Sequence, residues 1–98
     1  MCLAAPAVVL EVDYSEMVAV VDYGDGSPRR ALIGISQDRV KKGDLVMVHA
    51  GVIVTKISEE DLLEQIEFFR EALGEEAEHF VDAYKRLLEA SKRLSGGE

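Results

Sequence analysis

The hydrophobic pattern of this chain changes its period once, at Ser58, and the change limits what each half can form. Before Ser58, short runs rich in valine, isoleucine and leucine alternate with turn residues, which is typical of β-strands. After Ser58, apolar residues recur every three or four positions, which is typical of amphipathic helices. The sequence therefore predicts β-structure over residues 1–57 and a helical extension over residues 58–95.

The first half contains about five candidate strands, separated by turn signals such as the two glycines and the proline of residues 24–28. The candidate strands are residues 8–12, 17–23, about 30–35, 45–49 and 52–57. No helix is predicted between them, and parallel neighbours need a crossover of about a dozen residues or more. We therefore expect a small antiparallel β-barrel, whose closure also removes exposed strand edges.

Two amphipathic helices are predicted after the strands. Ser58 is a favourable N-cap for the first helix, and Gly74 is expected to end it. The second helix is predicted from Glu75 to Leu94, with acidic residues at its start and basic residues at its end. Each helix has one apolar face that needs cover from the barrel, from the other helix or from a partner.

The 98 residues suffice for a single domain over residues 1–98. No apolar run approaches the ~20 residues needed to cross a bilayer, and the N-terminus lacks the pattern of a secretion signal. We therefore expect a cytoplasmic protein with no membrane partner, in a compartment where a lone thiol stays reduced.

The formal charge of −8, from 19 acidic and 11 basic residues, disfavours nucleic acid as a partner, because phosphate backbones repel such a surface. A barrel of this kind is nevertheless compatible with nucleic-acid binding. Tyr14 and Tyr23 lie near strand ends, where aromatic rings can stack on bases. A nucleic-acid-binding module is therefore the alternative function.

Cys2 is the only cysteine, so it cannot form an internal disulfide. His49 ends the fourth candidate strand, and thiolate and imidazole together suit a soft or borderline first-row metal. Two donors do not complete a metal site, which indicates weak binding or coordination shared with another molecule.

Two other interpretations of Cys2 and His49 are possible. The first is a terminal cysteine and a structural histidine without function, and the second is a thiol enzyme with His49 as base. The enzyme is disfavoured because no third residue is placed to orient the pair.

Several segments of the chain together closely resemble the HypC/HupF family of NiFe-hydrogenase maturation chaperones. They are Met1-Cys2-Leu3-Ala4-Ala5-Pro6, Val9-Leu10-Glu11-Val12, Ala19-Val20-Val21-Asp22-Tyr23-Gly24, Arg30 and Gly43-Asp44-Leu45-Val46-Met47-Val48-His49-Ala50-Gly51. The resemblance runs in order from Met1 to about Leu73. It departs from the family at Ala7, where members commonly have glycine after the proline, and in the second helix, which extends beyond shorter members.

The resemblance implies an OB-like β-barrel with C-terminal helix, which agrees with the strand and helix pattern. It also implies a non-catalytic scaffold that partners the iron-sulfur protein HypD and delivers an iron group to the hydrogenase large-subunit precursor. This transient group carries two cyanides and one carbon monoxide, and no organic cofactor is implied. Cys2 and His49 correspond to the metal-contacting residues, and we expect Cys2, Leu3, Pro6 and His49 to contact partners.

Overall fold

The computed structural model describes residues 4–34 and 39–95 of the chain. Within these ranges, five strands come first and two α-helices follow, as the change of period at Ser58 predicts. The strands are β1 (Ala4–Asp13), β2 (Val18–Asp22), β3 (Arg29–Ile33), β4 (Leu45–His49) and β5 (Val52–Lys56). The helices are α1 (Glu59–Leu73) and α2 (Glu78–Ser95), and a 3-10 turn over Gly74–Ala77 joins them.

The strands close into a barrel in the order β1-β2-β3-β5-β4, so the predicted fold class is confirmed. One pairing differs from the expected antiparallel pattern: β3 and β5 run parallel, with Leu32 opposite Val52 and Ile33 opposite Ile53. The chain between β3 and β5 contains β4, and this strand with its loops is long enough to act as the crossover. A helix was therefore not needed for a parallel pair.

Strand β1 begins at Ala4, four residues before the predicted start at Val8. Its first half pairs with β4 and its second half pairs with β2, and the register shifts between Val9 and Glu11. Such a bulge bends a strand and helps a sheet to close. Alanine and proline have low strand propensity, so residues 4–7 gain their conformation from pairing with β4 rather than from local preference.

Small and β-branched side chains fill the barrel. Alternate residues of each strand point inward, as the two-residue period of a strand requires. The buried interior cluster contains Ala7, Val9, Ala19, Val21, Ala31, Ile33, Val40, Val46, Val48 and Ile53. Ala7 is completely buried there, so its methyl group contributes to the core.

The helices cover one outer side of the barrel. Val8 and Leu45 point outward from the strands and pack against Leu62 of α1 and Leu87 of α2. Burial of each such side chain stabilises the fold by roughly 1.5–3 kcal/mol. The helical extension is therefore attached to the barrel by an apolar interface. No helix in the described part of the chain is long and apolar enough to cross a membrane.

The ends of α1 lie where the sequence predicts them. Ser58 and Asp61 form a capping box, in which each side chain accepts a hydrogen bond of 3.0 Å from the other residue's amide. Gly74 ends the helix with a positive φ of 61°. The second helix begins at Glu78 rather than Glu75, because the intervening residues form the 3-10 turn that places Ala77 in a buried cluster with Ile66.

Candidate functional site

His49 is the last residue of β4, and its side chain is exposed. Val46 and Val48 of the same strand belong to the barrel interior. Because side chains alternate along a strand, His49 lies on the outer face, as Leu45 does. The imidazole is therefore accessible to another molecule instead of being buried as a structural group.

A two-residue turn follows His49 and leads directly into β5. Both turn residues have positive φ, 51° at Ala50 and 84° at Gly51, and His49 pairs with Val52 across the turn. Two positive φ angles are typical of the type I′ hairpin turn, which matches the twist of the flanking strands. The turn therefore fixes the position of the His49 backbone on the rim of the barrel.

The start of β1 lies beside His49. Ala4 is the register partner of His49, and Ala5 pairs with Val48. Residues directly opposite in a sheet point to the same face, with Cβ atoms typically about 4.5–5.5 Å apart. Ala4 and His49 therefore share the outer face of the β1–β4 ladder.

Cys2 and Leu3 lie outside the described residues, so their predicted roles remain predictions. Covalent geometry still limits the thiol, because Cys2 precedes Ala4 by two residues. Two residues of chain span at most about 7 Å. The N-terminal thiol is thus attached by a short tether to the strand position opposite His49.

Pro6 is buried within β1 and pairs with Met47 of β4. Its neighbour Ala7 also pairs only with β4, because the pairing of β1 with β2 begins at Val8. Among the described residues, nothing pairs with the other edge of the strand at Pro6. Proline is tolerated at such an edge because it has no amide hydrogen to donate. The fixed φ of proline stiffens the strand between its start and the core.

A metal ion would find few donors here from the described residues alone. Within residues 4–34 and 39–95, no three histidine, cysteine, aspartate or glutamate side chains are grouped closely enough to hold one. His49 supplies a single imidazole. A stable complex at this position needs further donors from Cys2 or from a second molecule.

The two tyrosines considered for base stacking pack against the barrel interior. The Tyr14 hydroxyl donates a hydrogen bond of 2.7 Å to the Val40 carbonyl oxygen and accepts one from the Val40 amide. The Arg39 guanidinium lies 4.0 Å from the centre of the Tyr14 ring, and Arg29 lies 5.4 Å from that of Tyr23. These contacts give both rings structural roles.

An exposed aromatic surface on the helical extension was not singled out from the sequence. Phe68 is 65% exposed and touches Phe69, whose ring stacks on Phe80 of α2. The available signal was the adjacent pair Phe68–Phe69. Two consecutive helical residues cannot both point into one narrow apolar interface, because they are about 100° apart around the helix.

Comparisons with known proteins confirm the family resemblance that the sequence motifs predict. The model of the HupF/HypC family matches residues 1–69 of the chain. The chain is also 35% identical over 88 residues to a protein of Helicobacter hepaticus named hydrogenase maturation factor HypC, covering 87% of this chain and 100% of that protein. The family match includes Cys2, Pro6 and His49 and ends within α1, so α2 lies beyond it.

Proposed function

This chain belongs to the HupF/HypC family, and on that premise we propose that it carries an iron group during the maturation of NiFe-hydrogenase. Members of the family are maturation chaperones and not enzymes. The chain is accordingly a hydrogenase maturation factor. The proposal adds a cargo and a route: an iron centre bearing cyanide and carbon monoxide is assembled with a HypD-type iron-sulfur protein and handed to the hydrogenase large-subunit precursor.

The pairing of Ala4 with His49 carries this proposal. The Cys2 thiol is tethered to Ala4 by two residues, and the exposed His49 imidazole lies on the facing strand. Thiolate and imidazole are suitable donors for iron. The position of Ala4 opposite His49, with Cys2 two residues before it in the sequence, supports a joint role of the two groups in contacting the metal.

The limited donor set favours transfer over storage. A pair of protein ligands leaves coordination positions for cyanide, carbon monoxide and a partner's donors. The described donor is not enclosed in a rigid cage, since His49 is exposed. A partner's cysteine can therefore approach the same iron and replace one ligand at a time, so that the ion is not released into solvent.

In this proposal, some residues hold the strand ends in place and others contact the partner. Pro6 and the type I′ turn at Ala50–Gly51 hold the two strand ends in place, and the barrel core lies directly behind them. Cys2 and Leu3 would then make the first contacts with a partner. The cytoplasm, where thiols stay reduced, is the compartment that this chemistry requires.

The test is to express the chain with a HypD-type protein and a hydrogenase precursor in cells that lack their own copy of this factor. Infrared spectra of the purified partner complex are recorded for cyanide and carbonyl bands, together with its iron content and the hydrogenase activity. We expect Cys2→Ala to leave the folded state intact while abolishing the bands and the activity. We expect His49→Ala to reduce both.

His79→Ala is the matched control, because His79 is an exposed histidine on α2. It should behave like the unchanged protein. Normal hydrogenase maturation by Cys2→Ala would refute the proposal. Absence of cyanide and carbonyl bands from the complex of the unchanged protein would exclude the carrier role.

A further inference from the structure

Negative charge is concentrated in one segment of the chain. Between Glu59 and Asp82 there are ten acidic residues and a single basic residue, Arg70. The rest of the sequence contains nine acidic and ten basic residues. The net charge of the protein therefore arises entirely from α1, the 3-10 turn and the start of α2.

The same segment has a continuous apolar surface. The Phe68 and Phe69 rings lie 5.9 Å apart edge to face, and the Phe69 and Phe80 rings stack at 5.1 Å. Leu73 follows Phe69 by four residues and so lies on the same side of α1. We call Phe68, Phe69, Leu73 and Phe80 the aromatic face.

Solvent reaches much of this surface. Phe68 is 65% exposed, Phe80 is 42% exposed and Leu73 is 40% exposed. Single exposed apolar residues are common on proteins, whereas a contiguous group of them with a polar rim is typical of an interaction site. The contact from Phe68 through Phe69 to Phe80 makes this group contiguous.

The rim of the aromatic face is acidic. Helical spacing places Glu64 and Glu71 next to Phe68 along α1, and the His79 ring lies edge to face against Phe80 at 5.5 Å. The one cation of the segment, Arg70, already lies 3.7 Å from the Glu78 carboxylate. A ligand at this face therefore meets apolar rings in a strongly acidic segment, with two carboxylates beside Phe68.

We propose that the aromatic face docks a basic amphipathic helix of a protein partner, with apolar side chains against the rings and Lys or Arg against the carboxylates. Charge complementarity selects this occupant. A second copy of this chain would bring two acidic rims together, and nucleic acid or an anionic membrane would be repelled. The aromatic face contains neither of the proposed iron contacts, Cys2 and His49, and the docking proposal does not depend on the iron-carrier proposal.

The aromatic face lies only partly within the segment that matches the family model, which includes Phe68 and Phe69. The family match ends at residue 69, so Leu73 and Phe80 lie beyond it. The helical extension thus both covers the barrel through Leu62 and Leu87 and presents a second surface to solvent.

Two synthetic peptides of about 18 residues test the proposal. Both carry leucines on one helical face, and one has lysines where the other has glutamates. Fluorescence anisotropy with labelled peptide measures binding to the full chain at low and at physiological salt. We expect the lysine peptide to bind, more weakly as salt rises, and the glutamate peptide not to bind.

Variants distinguish a specific docking face from general attraction of opposite charges. Phe68→Ala should weaken lysine-peptide binding by about fivefold or more, because a central aromatic anchor carries much of an interface's affinity. Leu63→Ala is the matched control, since Leu63 is 50% exposed on α1 but lies about 140° around the helix from Phe68 and about 120° from Phe69. It should change binding by less than about twofold, and circular dichroism should show both variants folded.

Three outcomes would overturn the proposal. The first is equal weakening by Phe68→Ala and Leu63→Ala, which would indicate nonspecific charge attraction. The second is no binding of the lysine peptide by the unchanged protein. The third is a dimer in light-scattering measurements that Phe68→Ala abolishes, which would identify a second copy of the chain as the occupant.

Discussion

Ala4 and His49 are register partners across the β1–β4 ladder, although 45 positions separate them in the sequence. Ala4 is the first residue of β1 and His49 is the last residue of β4. The pairing joins the segment that carries the only thiol to the strand end that carries an exposed imidazole. The proposed iron contact depends on this register more than on any other feature of the fold.

A disulfide tests the register directly. In a Cys2→Ala background, the double variant Ala4→Cys/His49→Cys should oxidise to an internal disulfide. Directly opposite Cα atoms in an antiparallel pair are about 4.5–5.5 Å apart, which suits a disulfide. Ala4→Cys/Met47→Cys is the control, because a diagonal pair at about 7–8 Å is too far apart. Thiol titration after mild oxidation gives the result, and bridging of the diagonal pair alone would show a different register.

His49→Ala should have little effect on stability, in contrast with its neighbour. His49 is exposed, and its replacement should change the unfolding free energy by less than about 0.5 kcal/mol. Val48 is 1% exposed in the barrel interior, and Val48→Ala should cost about 2 kcal/mol. Urea unfolding of both variants measures the difference. A large loss of stability in His49→Ala would indicate a structural histidine instead of a metal or partner contact.

Ala50→Gly should stabilise the protein. Ala50 has a φ of 51°, a left-handed conformation that costs a residue with a Cβ atom roughly 1–2 kcal/mol. Glycine adopts it without that strain, and part of the gain is offset by the greater freedom of glycine in the unfolded chain. We expect a net gain of about 1 kcal/mol in the unfolding free energy, measured with urea. Unchanged or reduced stability would show that Ala50 is not strained in the native turn.

Local signals in the sequence predict the turns and caps of this fold well. Ser58 caps α1, Gly74 ends it, and the Ala50–Gly51 turn separates two strands, because each of these features depends on only a few adjacent residues. The β3–β5 pairing and the start of β1 were harder to predict. They depend on contacts between residues far apart in the sequence, which local propensity does not encode.

For the candidate site, the sequence predicts which residues take part but not how they are arranged in space. Cys2 and His49 are the residues that motif resemblance selects, and the sequence alone offers no distance between them. The β1–β4 register supplies part of this geometry, because it places Ala4, two residues after Cys2, opposite His49. The sequence does not predict the aromatic face, because hydrophobic periodicity assigns Phe69 to the packed stripe and does not indicate that Phe68 and Phe80 are exposed.

The attachment of α2 to the barrel depends on two turns that approach it closely. The Arg86 side chain donates a hydrogen bond of 2.6 Å to the Gly24 carbonyl oxygen, and the Ser91 hydroxyl donates one of 2.7 Å to that of Gly43. A Cβ atom on Gly24 would lie only 2.5 Å from the Ala83 carbonyl oxygen of α2. The backbone of α2 cannot yield as a flexible side chain would.

Gly24→Ala should therefore separate α2 from this turn, whereas Gly26→Ala should not. Both glycines have positive φ, 98° and 78°, so both substitutions carry a backbone strain of roughly 1–2 kcal/mol. A Cβ atom on Gly26 would meet no atom within 4 Å, so Gly26→Ala should lower the unfolding free energy only through this backbone strain. Gly24→Ala should cost about 1–3 kcal/mol more because of the overlap with Ala83, and amide hydrogen exchange should quicken along α2 in this variant alone. Equal costs for the two substitutions would mean that α2 does not rest on the Gly24 turn in solution.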